Sequence, residues 1–226
     1  MATTAGDRQA KDALFDGFAS VARALSSGRR AEIVELLAQG ERSVDEVAGE
    51  IGQSVANTSH HLRTLARAGL LTSRREGTHV HYRLASDAVL ELWWAMREVA
   101  VAQVDDLDDL ARSYLGDRAD VATIDRAELL ARLDRGEVVV VDVRPPAEYA
   151  AGHIVGAIHV PPEQLDLIDE LLGDQPTDRE VVAYCRGPYC VYADEAVRRL
   201  QRHGRRAARL DEGLPEWRRA GGPVAV

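Results

Sequence analysis

The stretch SVDEVAGEIGQSVANTSHHLRTLARAGLLTSRREGTHVHYRL, residues 43–84, decides the fold of the first half of the chain. Ser43, with Glu46 three positions later, forms a capping box, which predicts the start of a short helix over 44–51. A glycine turn follows, and a second helix is predicted over 54–67. Two helices joined by a tight, glycine-containing turn predict a helix-turn-helix.

The residues that flank these two helices complete a small domain. From Leu71 to Leu84 apolar and polar residues alternate around the turn-forming run at 74–78, which predicts two strands joined as a hairpin, the wing. Upstream, apolar residues at 3-4 spacing predict an amphipathic helix from Lys11 to Leu25, with Leu14 and Phe18 on its apolar face. We therefore predict a winged helix-turn-helix that is all-α apart from its β-wing.

Charge in this region differs from that of the whole chain. The net charge is −9, whereas residues 54–84 contain five arginines and one acidic residue, besides four histidines. A local basic face on an acidic protein fits specific DNA binding, because the surrounding acids weaken non-specific adhesion; a solvated arginine-rich surface is the alternative. The residues expected to contact double-stranded DNA are Ser54, Asn57, Thr58, His60, His61 and Arg63 on the helix, and Arg74, Arg75 and His79 on the wing.

After the wing, the sequence predicts one long helix from Ser86 to about Tyr114, with apolar residues on an approximately heptad seam. Such a helix is longer than its small domain needs, so the seam favours a partner subunit. Packing against the second half of the same chain is the alternative. The acidic run at residues 105–109 is interpreted as a solvated face.

The run LSSGRRAEIVELL, together with residues 43–84, resembles the ArsR family of small winged-helix repressors over roughly residues 15–115. The resemblance implies a homodimer, held by the first and last helices of this half, that binds an imperfect palindrome and is released by an inducer. Arsenic sensors of the family have a cysteine pair where this chain has Ser43 to Val47, and zinc sensors use histidine on the last helix, where residues 86–114 have none. No metal site is carried over, and we expect no cofactor.

The second half has a different pattern, which begins after a candidate linker at 115–122. The apolar runs at 138–141 and 181–184 are typical of buried parallel strands. Helices are predicted before the first run and after the second. This alternation predicts an α/β domain with a parallel sheet over 122–226, following a DNA-binding and dimerisation domain over 1–115.

The chain has two cysteines, Cys185 and Cys190, in a run between a predicted strand and a predicted helix. This run places Cys185 at the carboxyl end of the sheet, where open α/β folds bind ligands, and beside a helix N-terminus. Loop N–H groups and the helix dipole favour an anionic sulfur. We therefore predict that the thiol of Cys185 has a lowered pKa and is a nucleophile.

Four motifs resemble a single rhodanese domain over roughly 122–226. They are Val141-Asp142-Val143-Arg144, then Glu148-Tyr149 followed by Gly152-His153-Ile154 and Gly156-Ala157-Ile158, then Tyr184-Cys185-Arg186, and finally Asp211-Glu212-Gly213 with Trp217. The resemblance implies that Cys185 carries sulfur and that Arg186 contacts anionic donors such as thiosulfate. The rest of the active-site loop is Gly187, Pro188 and Tyr189. Asp142 and His153 are interpreted as structural.

The loop departs from ordinary rhodaneses at Cys190. A second thiol there can attack a persulfide on Cys185 and form a disulfide or polysulfide bridge, which makes Cys190 a further catalytic candidate. A small residue at the start of a helix, without a chemical role, is the alternative. Cysteine phosphatases and arsenate reductases need an arginine where this chain has Val191, so that chemistry is excluded.

These features lead to one leading hypothesis and two alternatives. The leading hypothesis is a DNA-binding repressor whose cysteine loop senses or carries reactive sulfur from a sulfane-sulfur donor or another thiophilic small molecule. The alternatives are a sulfurtransferase tethered to DNA and a thiol-based repressor that responds to arsenic or heavy metals. We expect a cytoplasmic protein without a membrane partner, because no apolar run approaches the roughly 20 residues of a membrane span and Met1 to Arg8 lacks a signal-peptide pattern.

Overall fold

The computed structural model describes residues 7–226 and divides into two compact units, one ending at Ala100 and the other beginning at Val101. The first six residues, part of the N-terminal stretch without a signal-peptide pattern, lie outside the described part. Each unit buries its own clusters of apolar side chains. The domain limits expected from the sequence, 1–115 and 122–226, stay a prediction.

The first unit is built from helices and one hairpin. Its helices are α1 (Arg8–Leu25), α2 (Gly28–Leu37), α3 (Val44–Glu50), α4 (Val55–Arg67) and α5 (Asp87–Gln103), the last of which continues past Ala100. The capping box is confirmed: the backbone N–H of Glu46 donates to Oγ of Ser43 (3.3 Å), and that of Ser43 donates to Oε2 of Glu46 (2.7 Å). Ser54 caps α4 in a similar way, because its Oγ accepts from the N–H of Asn57 (3.3 Å).

The hairpin predicted as a wing is present. Its strands are β2 (Leu71–Glu76) and β3 (His79–Leu84), and a short strand β1 (Arg42–Ser43) pairs with β3 on the other side, all antiparallel. The turn has Gly77 at φ +60°, a left-handed conformation that glycine adopts without strain. Tyr82 is buried beneath the hairpin and joins it to the helical core.

Only the end of α1 contributes to the core of the first unit. Ala24 and Leu25 are buried there, whereas Leu14 and Phe18, on the predicted apolar face, are 54% and 63% exposed. Phe15, 59% exposed, lies edge-on to Phe18. The helix is therefore amphipathic as predicted, but most of its apolar face is uncovered within one chain.

The prediction of one long helix from Ser86 to Tyr114 is wrong. The chain forms α5, then a break, then α6 (Leu107–Leu115), and Asp106 adopts a left-handed conformation with φ +66°. Aspartate tolerates that conformation better than most residues, and acidic neighbours repel one another in a continuous helix. No residue of α6 is buried, so tertiary packing does not hold the two helices in line.

The second unit is an α/β layer structure with a five-stranded parallel sheet in the order β4-β9-β8-β5-β7. The strands are β4 (Thr123–Ile124), β5 (Val138–Asp142), β7 (Ile158–His159), β8 (Glu180–Tyr184) and β9 (Ala207–Leu210), and a small antiparallel pair joins β6 (His153–Ile154) to β10 (Val224–Ala225). The helices are α7 (Arg126–Asp134), α8 (Pro146–Ala151), α9 (Ile168–Leu172), α10 (Tyr192–Arg202) and α11 (Leu214–Arg219), with a 3-10 turn at Pro162–Leu167.

The apolar runs of the central strands are buried on both faces of the sheet. In β5, Val139 and Val141 belong to one cluster, whereas Val138 and Val140 belong to the cluster on the opposite face. This two-sided burial explains why the strand is continuously apolar rather than alternating. Helices on both faces leave the carboxyl edge of β5 and β8 open to the loops that follow them.

Among the described residues, no helix is both long and apolar enough to cross a membrane.

Candidate functional site

The cysteine loop lies at the carboxyl edge of the parallel sheet. β8 ends at Tyr184, residues 185–191 form the loop, and α10 begins at Tyr192. The neighbouring strand β5 ends level with β8, because Asp142 pairs with Tyr184 in the strand register. The loop therefore occupies the position at which parallel sheets bind their ligands.

The two thiols of the loop lie close enough for each to shift the pKa of the other. Cys185 is only 3% exposed, and its Sγ lies 3.8 Å from the carbonyl oxygen of Gly187. Cys190 is partly buried. The structure thus brings together the two residues that the sequence singled out, with the inner sulfur shielded and the outer sulfur closer to solvent.

The ionisation of the pair differs from the prediction. The pKa of Cys190 is lowered to about 7, because the Cys185 thiol donates a hydrogen bond to it and backbone N–H groups of Tyr192 and Arg186 stabilise its thiolate. The pKa of Cys185, predicted to be lowered, is instead raised by burial and then by its bond to the neighbouring thiol. Cys190 is therefore the more readily ionised thiol of the pair.

Arg186 is paired with a carboxylate. Its Nε and Nη2 both lie against Oε1 of Glu148, at 2.9 Å and 2.6 Å, and the Glu148 side chain is fully buried. Arg186 was expected to contact an anionic donor, but Glu148 largely compensates its positive charge. The pair ties the cysteine loop to α8, so Arg186 also positions the loop.

A glycine and an arginine, neither of them a candidate from the sequence, hold the loop from outside it. A Cβ at Gly213 would overlap the backbone carbonyl of Arg186, so the chain there packs directly under the loop. Arg118 donates to the carbonyl oxygens of Pro188 (2.8 Å) and Cys190 (3.1 Å). Gly213 belongs to a motif quoted above, whereas Arg118 falls in the candidate linker, where no sequence signal marks it.

The interpretation of Asp142 as structural is confirmed by its contacts. It forms a fully buried ion pair with Arg144, at 2.6 Å between Oδ2 and Nη2, and accepts a hydrogen bond from the Tyr184 hydroxyl. Arg144 also donates to the carbonyl oxygen of Gly152 (2.7 Å). His153 is likewise held in the fold, stacked on Tyr149 with ring centroids 3.9 Å apart.

On α4, the residues expected to contact DNA do not share one face. Ser54, Asn57, His60 and Arg63 are exposed, as predicted for a surface that meets a ligand. Thr58 is fully buried, and its outward placement is corrected: α4 turns this position toward the core beside Leu62. His61 is half-buried, and burial together with nearby Arg30 lowers its pKa, which favours the neutral ring.

On the wing, the two arginines have different surroundings. Arg74 lies between two carboxylates, 2.6 Å from Glu41 and 2.5 Å from Glu76, which raise its pKa. Arg75 is exposed and donates to the carbonyl oxygen of Gly77 (3.2 Å). The exposed ring of His79 lies 3.7 Å from Asp45.

Comparison with known proteins agrees with both halves of this structure. Residues 27–73 match the family model described as bacterial regulatory protein, arsR family, and residues 125–220 match that of the rhodanese-like domain. The HTH-type transcriptional regulator Rv0324 of Mycobacterium tuberculosis is 47% identical over 221 residues, 97% of this chain and 95% of the relative. The chain belongs to the ArsR family of transcriptional regulators and carries a rhodanese-like domain.

Each half of this ArsR-family regulator also resembles a shorter protein. Its second half is 38% identical to a sulfurtransferase of Allochromatium vinosum over 107 residues, 47% of this chain and 96% of that protein. Its first half is 41% identical to a homodimeric winged helix-turn-helix DNA-binding domain from Mycobacterium bovis, with a TM-score of 0.41, covering 46% of this chain and 94% of the other.

In this ArsR-family regulator, the active-site loop candidates Gly187, Pro188 and Tyr189 lie between the two cysteines, and Gly187 is buried. Within residues 7–226, no group of three or more His, Cys, Asp or Glu side chains is arranged to hold a metal ion.

Proposed function

We propose that this regulator is a DNA-binding repressor whose cysteine loop takes up sulfane sulfur and thereby changes the affinity of the protein for its operator. The observation that carries the proposal is that Cys185 and Cys190 lie together in the loop between β8 and α10, at the carboxyl edge of the sheet. They are the only cysteines of the chain, and both lie in the rhodanese-type loop rather than in the helices where metal-sensing relatives bind their ions.

The DNA-binding side of the proposal rests on α4 and the wing. Small polar side chains at the start of α4, Ser54 and Asn57, suit base edges, and Arg63 and Arg75 suit phosphates. A protein that reads an operator in this way works in the cytoplasm, beside the chromosome.

The operator is a palindrome, because the protein acts as a homodimer. The uncovered side chains of α1, Leu14, Phe15 and Phe18, form an apolar patch of the kind that a second subunit buries. Two copies related by a two-fold axis then present two recognition helices to two half-sites.

The sulfur chemistry uses both thiols. The thiolate of Cys185 attacks the outer sulfur of a donor R–S–SH, the S–S bond of the donor breaks, RS⁻ leaves, and Cys185 becomes a persulfide. The thiolate of Cys190 then attacks Sγ of Cys185, a disulfide forms between them, and HS⁻ leaves. Two thiols are oxidised while the sulfane sulfur is reduced to sulfide.

The proximity of the two thiols supports this sequence of steps. The proton that Cys185 must lose can pass to the neighbouring sulfur, and near pH 7 one thiolate is already present in the loop. Backbone N–H groups of the loop stabilise the negative charge on either sulfur.

A sulfurtransferase is the second candidate function. The likeness of the second half to the Allochromatium vinosum protein favours it. In that case Cys185 passes its sulfur to an external acceptor, and the affinity for DNA does not depend on the state of the loop. An arsenic or heavy-metal response has only the thiol pair in its favour. It is the weaker alternative, because soft trivalent ions prefer a third thiolate, which this loop does not have.

The deciding experiment measures affinity for a palindrome from the protein's own promoter during titration with polysulfide and thiosulfate. Mass spectrometry follows both cysteines in the same samples. We expect the wild-type affinity to change as sulfur adds, and Cys185→Ser to keep its DNA affinity at every polysulfide concentration. Equal release of DNA by both proteins contradicts the proposal. Steady thiosulfate turnover with unchanged DNA affinity establishes the sulfurtransferase instead.

A further inference from the structure

Arg118 lies three residues after the end of α6 and makes three polar contacts in the second unit. Its Nη1 and Nη2 donate to the carbonyl oxygens of Pro188 and Cys190, and its Nε lies 2.5 Å from Oδ2 of Asp194. The side chain is 24% exposed, so these contacts are mostly shielded from water. One guanidinium thus joins the end of the cysteine loop to the segment that leads to α6.

One acceptor of Arg118, the carboxylate of Asp194, is held in the core of the second unit. Asp194 lies in the first turn of α10 and is 1% exposed, and Arg209 approaches it from β9 at 3.4 Å. A buried carboxylate with a cation on either side is a stable anchor, because its charge stays compensated. Arg118 is therefore held on one side by a fixed group and on the other by the loop.

We expect the loop side of this arrangement to change when Cys185 and Cys190 form a disulfide. A disulfide between Cys185 and Cys190 pulls the two sulfur atoms into covalent contact and constrains the loop backbone between them. The carbonyl of Pro188 belongs to that backbone. A shift of this carbonyl removes one of the three acceptors of Arg118, while Asp194 remains in place.

The segment on the other side of Arg118 includes α6, which has no buried residue. Within α6, Leu110 and Tyr114 are 63% and 68% exposed. Segments with few buried contacts open and move at low free-energy cost. A change at Arg118 is thus transmitted most easily toward α6, and α6 continues through a three-residue break into α5 of the DNA-binding half.

We propose that Arg118 is a positioning residue that links the sulfur state of the cysteine loop to α6 and so to DNA affinity. This inference rests on the proposed function for its final step, the change in DNA affinity. Its first step, the link between the loop and α6, rests on the hydrogen bonds of Arg118 to the loop and on the short chain segment that joins Arg118 to α6, and it has a readout of its own.

The test compares Arg118→Gln with the matched variant Arg112→Gln. Both remove one positive charge near the same helix, but Arg112 is exposed and pairs with Asp109 of its own helix. Arg118→Gln leaves Asp194 with Arg209, so the domain keeps a compensated core. Arg118→Lys is the conservative variant: it restores the charge, but a single ammonium group cannot span three acceptors in the fixed geometry of a guanidinium.

Two readouts are taken with the loop as dithiol and as disulfide. The first is hydrogen exchange of the amides of α6, and the second is affinity for the operator. The disulfide is formed with polysulfide, or with diamide if polysulfide leaves the thiols reduced. Mass spectrometry confirms that every variant reaches the same state of the two cysteines.

In the wild type and in Arg112→Gln, we expect disulfide formation to raise exchange in α6 and to change DNA affinity by about tenfold, a usual size for coupling between two sites. In Arg118→Gln, α6 exchanges fast in both states and DNA affinity changes by less than about twofold. For Arg118→Lys, we expect the changes in α6 exchange and in DNA affinity to lie between those of the wild type and those of Arg118→Gln.

The outcomes separate the two ideas. If α6 responds to the disulfide in the wild type but not in Arg118→Gln, while DNA affinity never changes, then the link at Arg118 stands and the proposed function fails. If Arg118→Gln responds as the wild type does in both readouts, the role of Arg118 is wrong whatever the protein does with sulfur.

Discussion

At the residue scale, the cysteine loop separates two properties that the sequence assigned to one side chain. Cys185 is the buried sulfur at the end of β8, but Cys190 has the lowered pKa. The physical reason is that an ionised sulfur needs hydrogen-bond donors and some access to solvent, and the outer position has both. A loop with one shared thiolate can both accept a sulfur and resolve the resulting persulfide.

Replacement of Cys185 by alanine tests this account. The pKa of Cys190, about 7 in the wild type, should rise toward about 8.5, the value of a free cysteine, because the S–H donor to its thiolate is lost. The rate of alkylation of Cys190 as a function of pH gives the pKa. Tyr189→Phe is the control, since it leaves both thiols in place. An unchanged pH profile in Cys185→Ala would show that the loop backbone alone stabilises the thiolate.

At the element scale, the wing shows how local ion pairs alter what an arginine can offer to DNA. Arg74 and Arg75 are neighbours in the sequence and project from the same strand. Glu41 and Glu76 hold Arg74, whereas Arg75 faces solvent. An arginine already paired with two carboxylates gains less from a phosphate, because the existing contacts must be given up.

We therefore expect Arg75→Gln to weaken operator binding more than Arg74→Gln does. Loss of one phosphate contact should also reduce the slope of log affinity against log salt by about 1 for Arg75→Gln. Fluorescence anisotropy over a range of salt concentrations measures both quantities. Arg135→Gln, which removes an exposed arginine of the second unit, is the control for net charge. Equal effects of the two wing variants would mean that DNA displaces the carboxylates from Arg74.

The exposed face of α1 leads to a second prediction at this scale. Phe18→Glu places a charge in the apolar patch and should convert the proposed homodimer to monomers, because burial of an unpaired carboxylate opposes association. Sedimentation equilibrium measures the change. Val155→Glu, which alters an exposed apolar residue of the second unit, should leave the association state unchanged. A Phe18→Glu protein that remains dimeric at the wild-type concentration would place the subunit contact elsewhere.

At the scale of the whole molecule, the chain consists of two units with separate cores. Clusters around Ile33 and Leu65 stabilise the first unit, and clusters on the two faces of the sheet stabilise the second. Asp142 and Arg144, which both belong to the second unit, form a fully buried ion pair. Removal of one partner of such a pair leaves a buried charge without compensation.

Calorimetry of Asp142→Asn tests this separation. We expect two unfolding transitions in the wild type, and in the variant a loss of about 3–5 kcal/mol in the free energy of unfolding of the second unit only. Glu137→Gln is the control, because its pair with Arg135 is exposed and contributes little. If both transitions shift together in Asp142→Asn, the two units unfold as one cooperative system.

Much of the architecture is predictable from local patterns in the sequence. The capping box at Ser43, the turn at Gly77 and the valine run of β5 each act through near neighbours or through strand burial, and the structure has all three as predicted. The placement of Cys185 after β8 follows from the same reasoning, since a buried parallel strand must end at a loop on the carboxyl edge.

The sequence by itself determined that the chain is a winged helix-turn-helix followed by a parallel α/β domain with both thiols in one loop, because periodicity, caps and motif spacing are local properties. Tertiary structure decided the rest. Thr58 is buried because packing, not helical period, sets which faces are covered. Burial of Cys185, together with its contact with Cys190, sets the order of the thiol pKa values. Arg118 reaches the loop only because the folded chain brings residues some 70 positions apart into contact.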